Sequence, residues 1–249
     1  MATIIAVANQ KGGVGKTDVS VNLSCYLASM DNRVLLIDLD PQANATDYLT
    51  EEAPMVSAAE LLMDPKISAS EALIRTRIEN LDLIPSRATL SATQVQLAAD
   101  LEMQFKIKNK LKGLTEYSYI IIDTPPSLGV LTINALTAAH EVLIPVQTHY
   151  FALDGVAHLL DTIKKVRTSL NPKLTVRGIV LTMYDKRTYL SRQVKQKVTT
   201  EFNGKVFNAI IPHNIRLAES PSYHQPIMVY APKSPGAKAY MQLAKEFAR

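Results

Sequence analysis

The chain has 249 residues, 47% of them apolar and 20% charged, with a formal net charge of +4. That length and apolar share suit one α/β domain with a large core and exclude a disordered chain, and no apolar run reaches the roughly 20 residues of a membrane span. The lone cysteine, Cys25, excludes a disulfide framework or an iron–sulfur centre and reads as a small buried hydrophobe in a reducing compartment.

Residues 3–8 (TIIAVA) form an apolar run long enough for a buried strand and too short for a helix. Gly12, Gly13 and Gly15 follow, and residues 19–28 carry apolar side chains at helical spacing. Strand, glycine-rich turn and helix are the context of a phosphate-binding loop, where a Cβ would crowd the backbone N–H groups that close around an anion. In that setting Lys16 supplies a point charge to the β and γ phosphates, and Thr17 a hydroxyl to Mg²⁺.

Residues 11–17 (KGGVGKT) also fit a narrower pattern. The common Gly-x-x-x-x-Gly-Lys-Ser/Thr spacing needs glycine where this chain has Gln10, and an extra lysine, Lys11, heads the loop. The stretch resembles the deviant Walker A motif, and the chain is similar to ParA/Soj-type partition ATPases of the MinD/ParA class from Ile4 to the final helix. The resemblance implies an α/β fold, a doubly wound, mostly parallel sheet flanked by helices, with ATP and Mg²⁺ as cofactors. It assigns ATP binding to Lys11, Gly12, Gly13, Val14, Gly15, Lys16, Thr17 and Asp18. It also implies an ATP-state homodimer in which Lys11 reaches the partner's phosphates and offsets the repulsion between two buried nucleotides.

Asp18 is a departure, because most family members carry a second hydroxyl residue there. A carboxylate aimed at the α phosphate repels it. In the first turn of a helix, however, Asp is favoured by the dipole and can turn aside to cap free N–H groups. The expectation is weaker nucleotide binding or slower turnover than a threonine would give.

Residues 33–42 (RVLLIDLDPQ) carry the second strand, with Asp38 and Asp40 at its C-terminal end and Pro41 preventing its extension. Ligands of open parallel sheets bind outside those ends. By resemblance, Asp40 orients the attacking water and Asp38 stands near the Mg²⁺ shell. Residues 57–63 and 70–74 read as short helices, broken at Asp64-Pro65, residues 81–86 as a strand and residues 90–111 as one long helix. In residues 117–126 (YSYIIIDTPP) an apolar strand ends at Asp123, the Walker B acid, which reaches Mg²⁺ through a water. The following TPPS resembles the family's γ-phosphate-sensing loop. Residues 141–146 read as a buried strand, 151–170 as an amphipathic helix, 176–185 as a strand and loop, and 206–212 as the last strand. The alternation is the doubly wound pattern.

Charge is lopsided. From Lys164 onward there are about 16 Lys and Arg against about 4 Asp and Glu, and before it about 11 against about 19. A basic last part fits a polyanionic partner. Residues 181–188 (LTMYDKRT) and 211–221 (IPHNIRLAESP) match Soj-type sequences. The resemblance puts Pro212 and Asn214 at adenine with Met183 nearby, and Arg187 and Arg216 where the family's arginines contact DNA. Arginines on loops reach phosphates without reading bases, so binding is expected to be sequence-independent and salt-sensitive. Arg192, Lys195 and Lys197 on the next helix either widen that patch or form an ordinary solvated face. His149 and His213 have no partners at metal-ligand spacing.

The expectation is a single P-loop ATPase domain over residues 1–249, with no signal peptide and no separate N-terminal DNA-binding domain, in the cytoplasm and on the nucleoid. ATP closes the homodimer, and the dimer binds non-specific double-stranded DNA. Hydrolysis through Lys11, Lys16 and Asp40, slow by itself and stimulated by a ParB-like partner, releases it. The cycle would segregate or position a chromosome origin, plasmid or other cargo. One rival is a MinD-like membrane-surface ATPase, which needs a basic amphipathic extension beyond the last helix at residues 240–249. A metabolic ligase or kinase needs a further substrate pocket. A hydrolysis-impaired scaffold is opposed by Asp40 and Asp123.

Overall fold

Side chains alternate across a strand, and the strands of this chain are apolar on both faces, so both faces need a helical cover. The computed structural model, which describes residues 2–97, 102–149 and 152–249, supplies one. In chain order the elements are β1 (Thr3–Val7), α1 (Lys16–Ala28), β2 (Val34–Asp38), α2 (Asn44–Leu49), α3 (Ala58–Met63), β3 (Ile74–Arg75), β4 (Leu81–Ile84), α4 (Leu90–Leu97) and α5 (Lys106–Lys110). They continue with β5 (Tyr119–Asp123), α6 (Val130–Ala138), β6 (Glu141–Gln147), α7 (Ala152–Ser169), β7 (Thr175–Thr182), α8 (Tyr189–Glu201), α9 (Ile215–Glu219), α10 (Ile227–Tyr230) and α11 (Pro235–Phe247).

The seven strands form one sheet in the order β3-β4-β2-β5-β1-β6-β7, parallel except for the β3–β4 pair. Ala6, Leu35, Ile37, Ile120 and Ile122 face a core built with α3 to α8. Their neighbours Ile5, Val7, Val34, Leu36 and Ile121 face a second core with α1, α2, α9, α10 and α11. The helix after the glycine loop, α1, is buried over nearly its whole length, because α2, α10 and α11 close over the side away from the sheet. Local signals start several helices. Ser57 and Glu60 form a capping box on α3, and Ser234 with Pro235 opens α11.

Strand register sets the site. Asp38 of β2 lies opposite Asp123 of β5, and Asp123 opposite Val7 of β1. Three neighbouring strands therefore end in one row, at the end of the sheet where the glycine loop begins.

Three sequence expectations need correction. Residues 90–111 are not one helix: α4 ends at Leu97, residues 98–101 lie outside the described residues, and a 3₁₀ turn at Met103–Phe105 precedes α5. Asn134 of α6 makes the break tolerable, donating Nδ2–H to the Met103 carbonyl at 2.6 Å and accepting the Ile107 N–H at 3.2 Å. Residues 70–74 are also not a helix, since a 3₁₀ turn at Ala69–Ala72, capped by Ser68 and Glu71, runs straight into β3. Residues 206–212 are not a strand and meet β7 and the loop after it through isolated bridges at Val206 and Pro212 and a bond from the Ile211 N–H to the Leu181 carbonyl at 2.8 Å. Between those bridges Glu246 takes the N–H groups of Asn208 (2.8 Å) and Ala209 (3.0 Å), so they do not serve a ladder. Of the helix expected over 151–170, Phe151 lies outside the described residues and α7 covers Ala152–Ser169.

Candidate active site

The loop between β1 and α1 can wrap an anion because Gly13 and Gly15 take left-handed backbone angles, φ +70° and +81°. Its shape is held from outside. Asn9 accepts the Lys11 N–H at 3.1 Å and donates to the Pro145 carbonyl at 2.8 Å, while Thr182 donates to the Val14 carbonyl at 2.8 Å. Gly12 packs beside Pro126 of the loop after β5, where an added Cβ would stand 3.8 Å from the proline Cβ. Gly155 of α7 lies against the stem of Lys11, whose Cβ is 3.7 Å from where a Gly155 Cβ would be.

Lys16 is only 6% exposed, and its Nζ donates to the Lys11 carbonyl at 3.2 Å. An ammonium has three donors. Among the described residues this is the one hydrogen bond the Lys16 ammonium makes, which leaves two donors for an anion. Burial pushes its pKa down, and the Asp123 and Asp40 carboxylates pull it back up. A buried cation short of partners at a glycine-lined helix start is what a phosphate chain fits.

The acids are held differently. Asp123 accepts the Thr17 hydroxyl at 2.9 Å and the Ser20 hydroxyl at 2.8 Å, and burial raises its pKa. Asp38 is held by its own loop, accepting the Asp40 N–H at 3.0 Å, the Thr46 N–H at 2.9 Å and the Thr46 hydroxyl at 2.8 Å. Burial and the neighbouring Asp123 raise its pKa. A carboxylate has about four lone-pair sites, so Asp38 spends three on two backbone N–H groups and one hydroxyl and keeps about one. Asp40 spends only Oδ1, on the Gln42 N–H at 3.0 Å. Among the described residues its Oδ2 takes no hydrogen bond, and Ser86 anchors the Asp40 carbonyl at 2.6 Å.

Thr17 with Asp123 suits Mg²⁺, which is bound through few protein oxygens, with phosphate and water completing the shell. The described residues contain no all-protein cluster of three or more His, Cys, Asp or Glu.

Beside the loop lies a pocket of about 110 Å³ lined by Gly15, Asp18, Met183, Pro212, Asn214 and Tyr240, among others. Met183 is forced to φ +51°, which carries its side chain over Gly15. Asn214 Oδ1 and the Tyr240 hydroxyl are buried there without a hydrogen-bond partner. Two such orphans in one apolar pocket call for a polar ligand, and an amide oxygen suits the exocyclic amino group of adenine. Asp18, half-buried, turns its carboxylate towards this pocket and accepts the Tyr48 hydroxyl at 3.4 Å. It takes none of the free N–H groups of the helix start. Burial raises its pKa to about 6, with the Tyr48 bond opposing.

The candidate DNA-contacting side chains are all exposed. Arg187 is paired with Asp185 at 2.8 Å and Arg216 with Glu219 at 2.9 Å. Arg192 and Lys195 share an open groove with Tyr184, and Lys195 lies 5.8 Å from the tyrosine ring centre. Lys197 is not part of that groove, because two residues along a helix turn the side chain to the other side.

Sequence reasoning missed Asn9, Ser20, Thr46, Tyr48 and Tyr240. Ser20 had a signal, since it follows Thr17 by three residues on one helix face. The others join the site through tertiary packing and leave no local signature.

Comparison with known proteins agrees with this geometry. The sequence profile of the AAA domain matches residues 2–176. The chain is 46% identical over 250 residues to the sporulation initiation inhibitor protein Soj of Bacillus subtilis, covering 100% of this chain and 99% of that one. It is 45% identical over 243 residues to the chromosome-partitioning ATPase Soj of Thermus thermophilus, covering 97% and 94%. The structure of a Mycobacterium smegmatis protein named cobyrinic acid a,c-diamide synthase, with bound ADP and magnesium, is similar at TM-score 0.87 and 36% identity, covering 100% and 95%. A glycine loop that leaves a buried lysine for phosphate, facing a Thr–Asp pair for Mg²⁺, is thus found in a chain that belongs to the Soj/ParA family of partition ATPases, enzymes that use ATP and Mg²⁺.

Proposed function

We propose that the chain, as one ATPase unit over residues 1–249, is an ATP-driven switch that dimerises with ATP and then binds double-stranded DNA without sequence preference. The observation that carries this reading is the sharing of segments between pocket and arginines. Met183 and Asn214 line the nucleotide pocket, and Arg187 and Arg216 follow them on the same two segments, which are bridged at Tyr184 and Pro212. Filling the pocket therefore bears directly on the arginines.

In this reading Lys16, Thr17 and the amides of residues 12–18 hold the phosphates, and Thr17, Asp38 and Asp123 serve Mg²⁺, which neutralises charge on the β and γ oxygens. The free Oδ2 of Asp40 orients the attacking water. Lys11 has no ion-pair partner among the described residues and serves the phosphates of a second copy. Arg192 and Lys195 extend the DNA surface, and Lys197 contributes only long-range charge. Turnover is slow until a ParB-like adaptor accelerates it, and the cycle positions a chromosome origin, plasmid or other cargo on the nucleoid.

The test is binding to random-sequence duplex with ATP, ADP or no nucleotide across a salt series. Binding is expected only with ATP, falling steeply with salt, and Arg216→Glu should weaken it by roughly tenfold or more. Binding to anionic vesicles instead of duplex would replace this reading with a membrane-surface one.

A further inference from the structure

Asp18 is a problem the loop has to solve. It sits one residue after Thr17, in the first turn of α1, where the helix start meets the phosphates. Like charges at close range repel in surroundings drier than water, so a carboxylate pointing into the cradle would repel the phosphates that the loop surrounds.

The structure directs it to the pocket beside the loop. Asp18 Oδ1 accepts the Tyr48 hydroxyl at 3.4 Å, and Oδ2 lies on the pocket side of Gly15, 3.8 Å from where a Gly15 Cβ would be. Tyr48 is itself buried, 2% exposed and packed in the core between α1 and α2. Its hydroxyl stands 2.6 Å from Ser220 Oγ. A phenol has one proton, so direction matters. Ser220 has the Leu217 carbonyl at 3.2 Å and the Tyr48 oxygen at 2.6 Å as acceptors, and the shorter contact takes its proton. The Tyr48 proton is then free for Asp18. The chain Ser220–Tyr48–Asp18 has a consistent direction and ends on the carboxylate.

We infer that Tyr48 is a positioning residue for nucleotide binding, holding the Asp18 carboxylate out of the phosphate cradle so that a loop with an acid in its helix start still accepts ATP. Tyr48 itself touches no phosphate in this arrangement; it acts through Asp18. The inference depends on nucleotide binding alone and not on the DNA reading.

The test is a double-mutant cycle on the affinity for a non-hydrolysable Mg-ATP analogue, by calorimetry, with Tyr48→Phe, Asp18→Asn and the pair. Tyr48→Phe is expected to weaken binding by roughly five- to tenfold, the scale of one ordinary hydrogen bond, as suits a contact of 3.4 Å. In the Asp18→Asn background the same change should cost less than about twofold, because no charge is left to restrain. The Tyr48→Phe loss should also shrink as salt rises, since it comes from charge repulsion. Equal losses in both backgrounds would make Tyr48 a merely structural tyrosine, and no loss in the wild-type background would remove its role altogether. If Tyr48→Phe fails to fold, Ser220→Ala removes the donor that orients Tyr48. It should then give a smaller loss in the same direction, absent in Asp18→Asn, and an equal loss there would overturn the inference.

Discussion

Ser20 stands behind the magnesium site proposed above and supports its carboxylate. Its hydroxyl donates to Asp123 Oδ1 at 2.8 Å while Thr17 donates to Oδ2 at 2.9 Å, so each carboxylate oxygen is held by one hydroxyl. Removing such a supporting bond from a ligand commonly weakens metal binding by about 10–100-fold. Ser20→Ala should therefore raise the Mg²⁺ concentration for half-maximal ATPase activity by roughly tenfold, with little change in the rate at saturating Mg²⁺, as a magnesium titration of turnover will read. At this scale the sequence is informative wherever chemistry repeats locally. The glycines with Lys16 and Thr17 form one contiguous motif, and Asp38 and Asp123 each end an apolar run. Tyr48 and Tyr240 are invisible for the opposite reason, because nothing in their neighbours distinguishes a core tyrosine from one whose hydroxyl enters a pocket.

At the scale of elements, two of the three misread segments share a cause: a distant side chain serves the backbone in place of regular structure. Residues 206–212 have the composition of a buried strand, yet Glu246 from the end of α11 takes two of their N–H groups. Asn134 does the same for the break before α5. Periodicity cannot register such substitutes. The loop after α8 also comes unusually close to β7. A Cβ on Gly178 would lie 2.6 Å from Phe207 Cε2 and 2.9 Å from the Lys205 carbonyl oxygen, closer than carbon atoms can approach. Gly178→Ala should thus cost about 1–3 kcal/mol, the usual range for overpacking, in urea unfolding of the nucleotide-free protein. The parallel strands themselves were legible, since each is a short apolar run bounded by turn residues, while β3, two residues long, carries too few positions for any pattern.

For the whole molecule, stability and charge are linked through the buried acids. Asp38 and Asp123 both have carboxyl pKa values raised by burial in the folded chain, against an ordinary value near 3.9 when unfolded. A raised carboxyl binds its proton more tightly in the folded state. These two groups therefore favour folding fully below the ordinary value, and that contribution is lost as pH rises through the raised values. Nucleotide-free protein should lose thermal stability between about pH 4 and pH 7, from the ordinary carboxyl value to the raised ones, at about 1.4 kcal/mol for each unit by which a pKa is raised. Asp38→Asn, which cannot ionise, should flatten that slope in melts taken across the range.

The two ends of the sheet have a consequence for how copies of this chain can meet. On one side the sheet stops at the two residues of β3, too few to template another strand. On the other, the backbone of β7 and the loop after it is partly occupied by residues 205–213, through bonds at Ile179, Leu181 and Tyr184. A long open row of backbone donors and acceptors is what lets proteins zip together irreversibly. Here both borders are blunted, so crowded molecules are steered towards contacts made by side chains. Such contacts can form and part repeatedly, whereas a shared backbone ladder would lock them together.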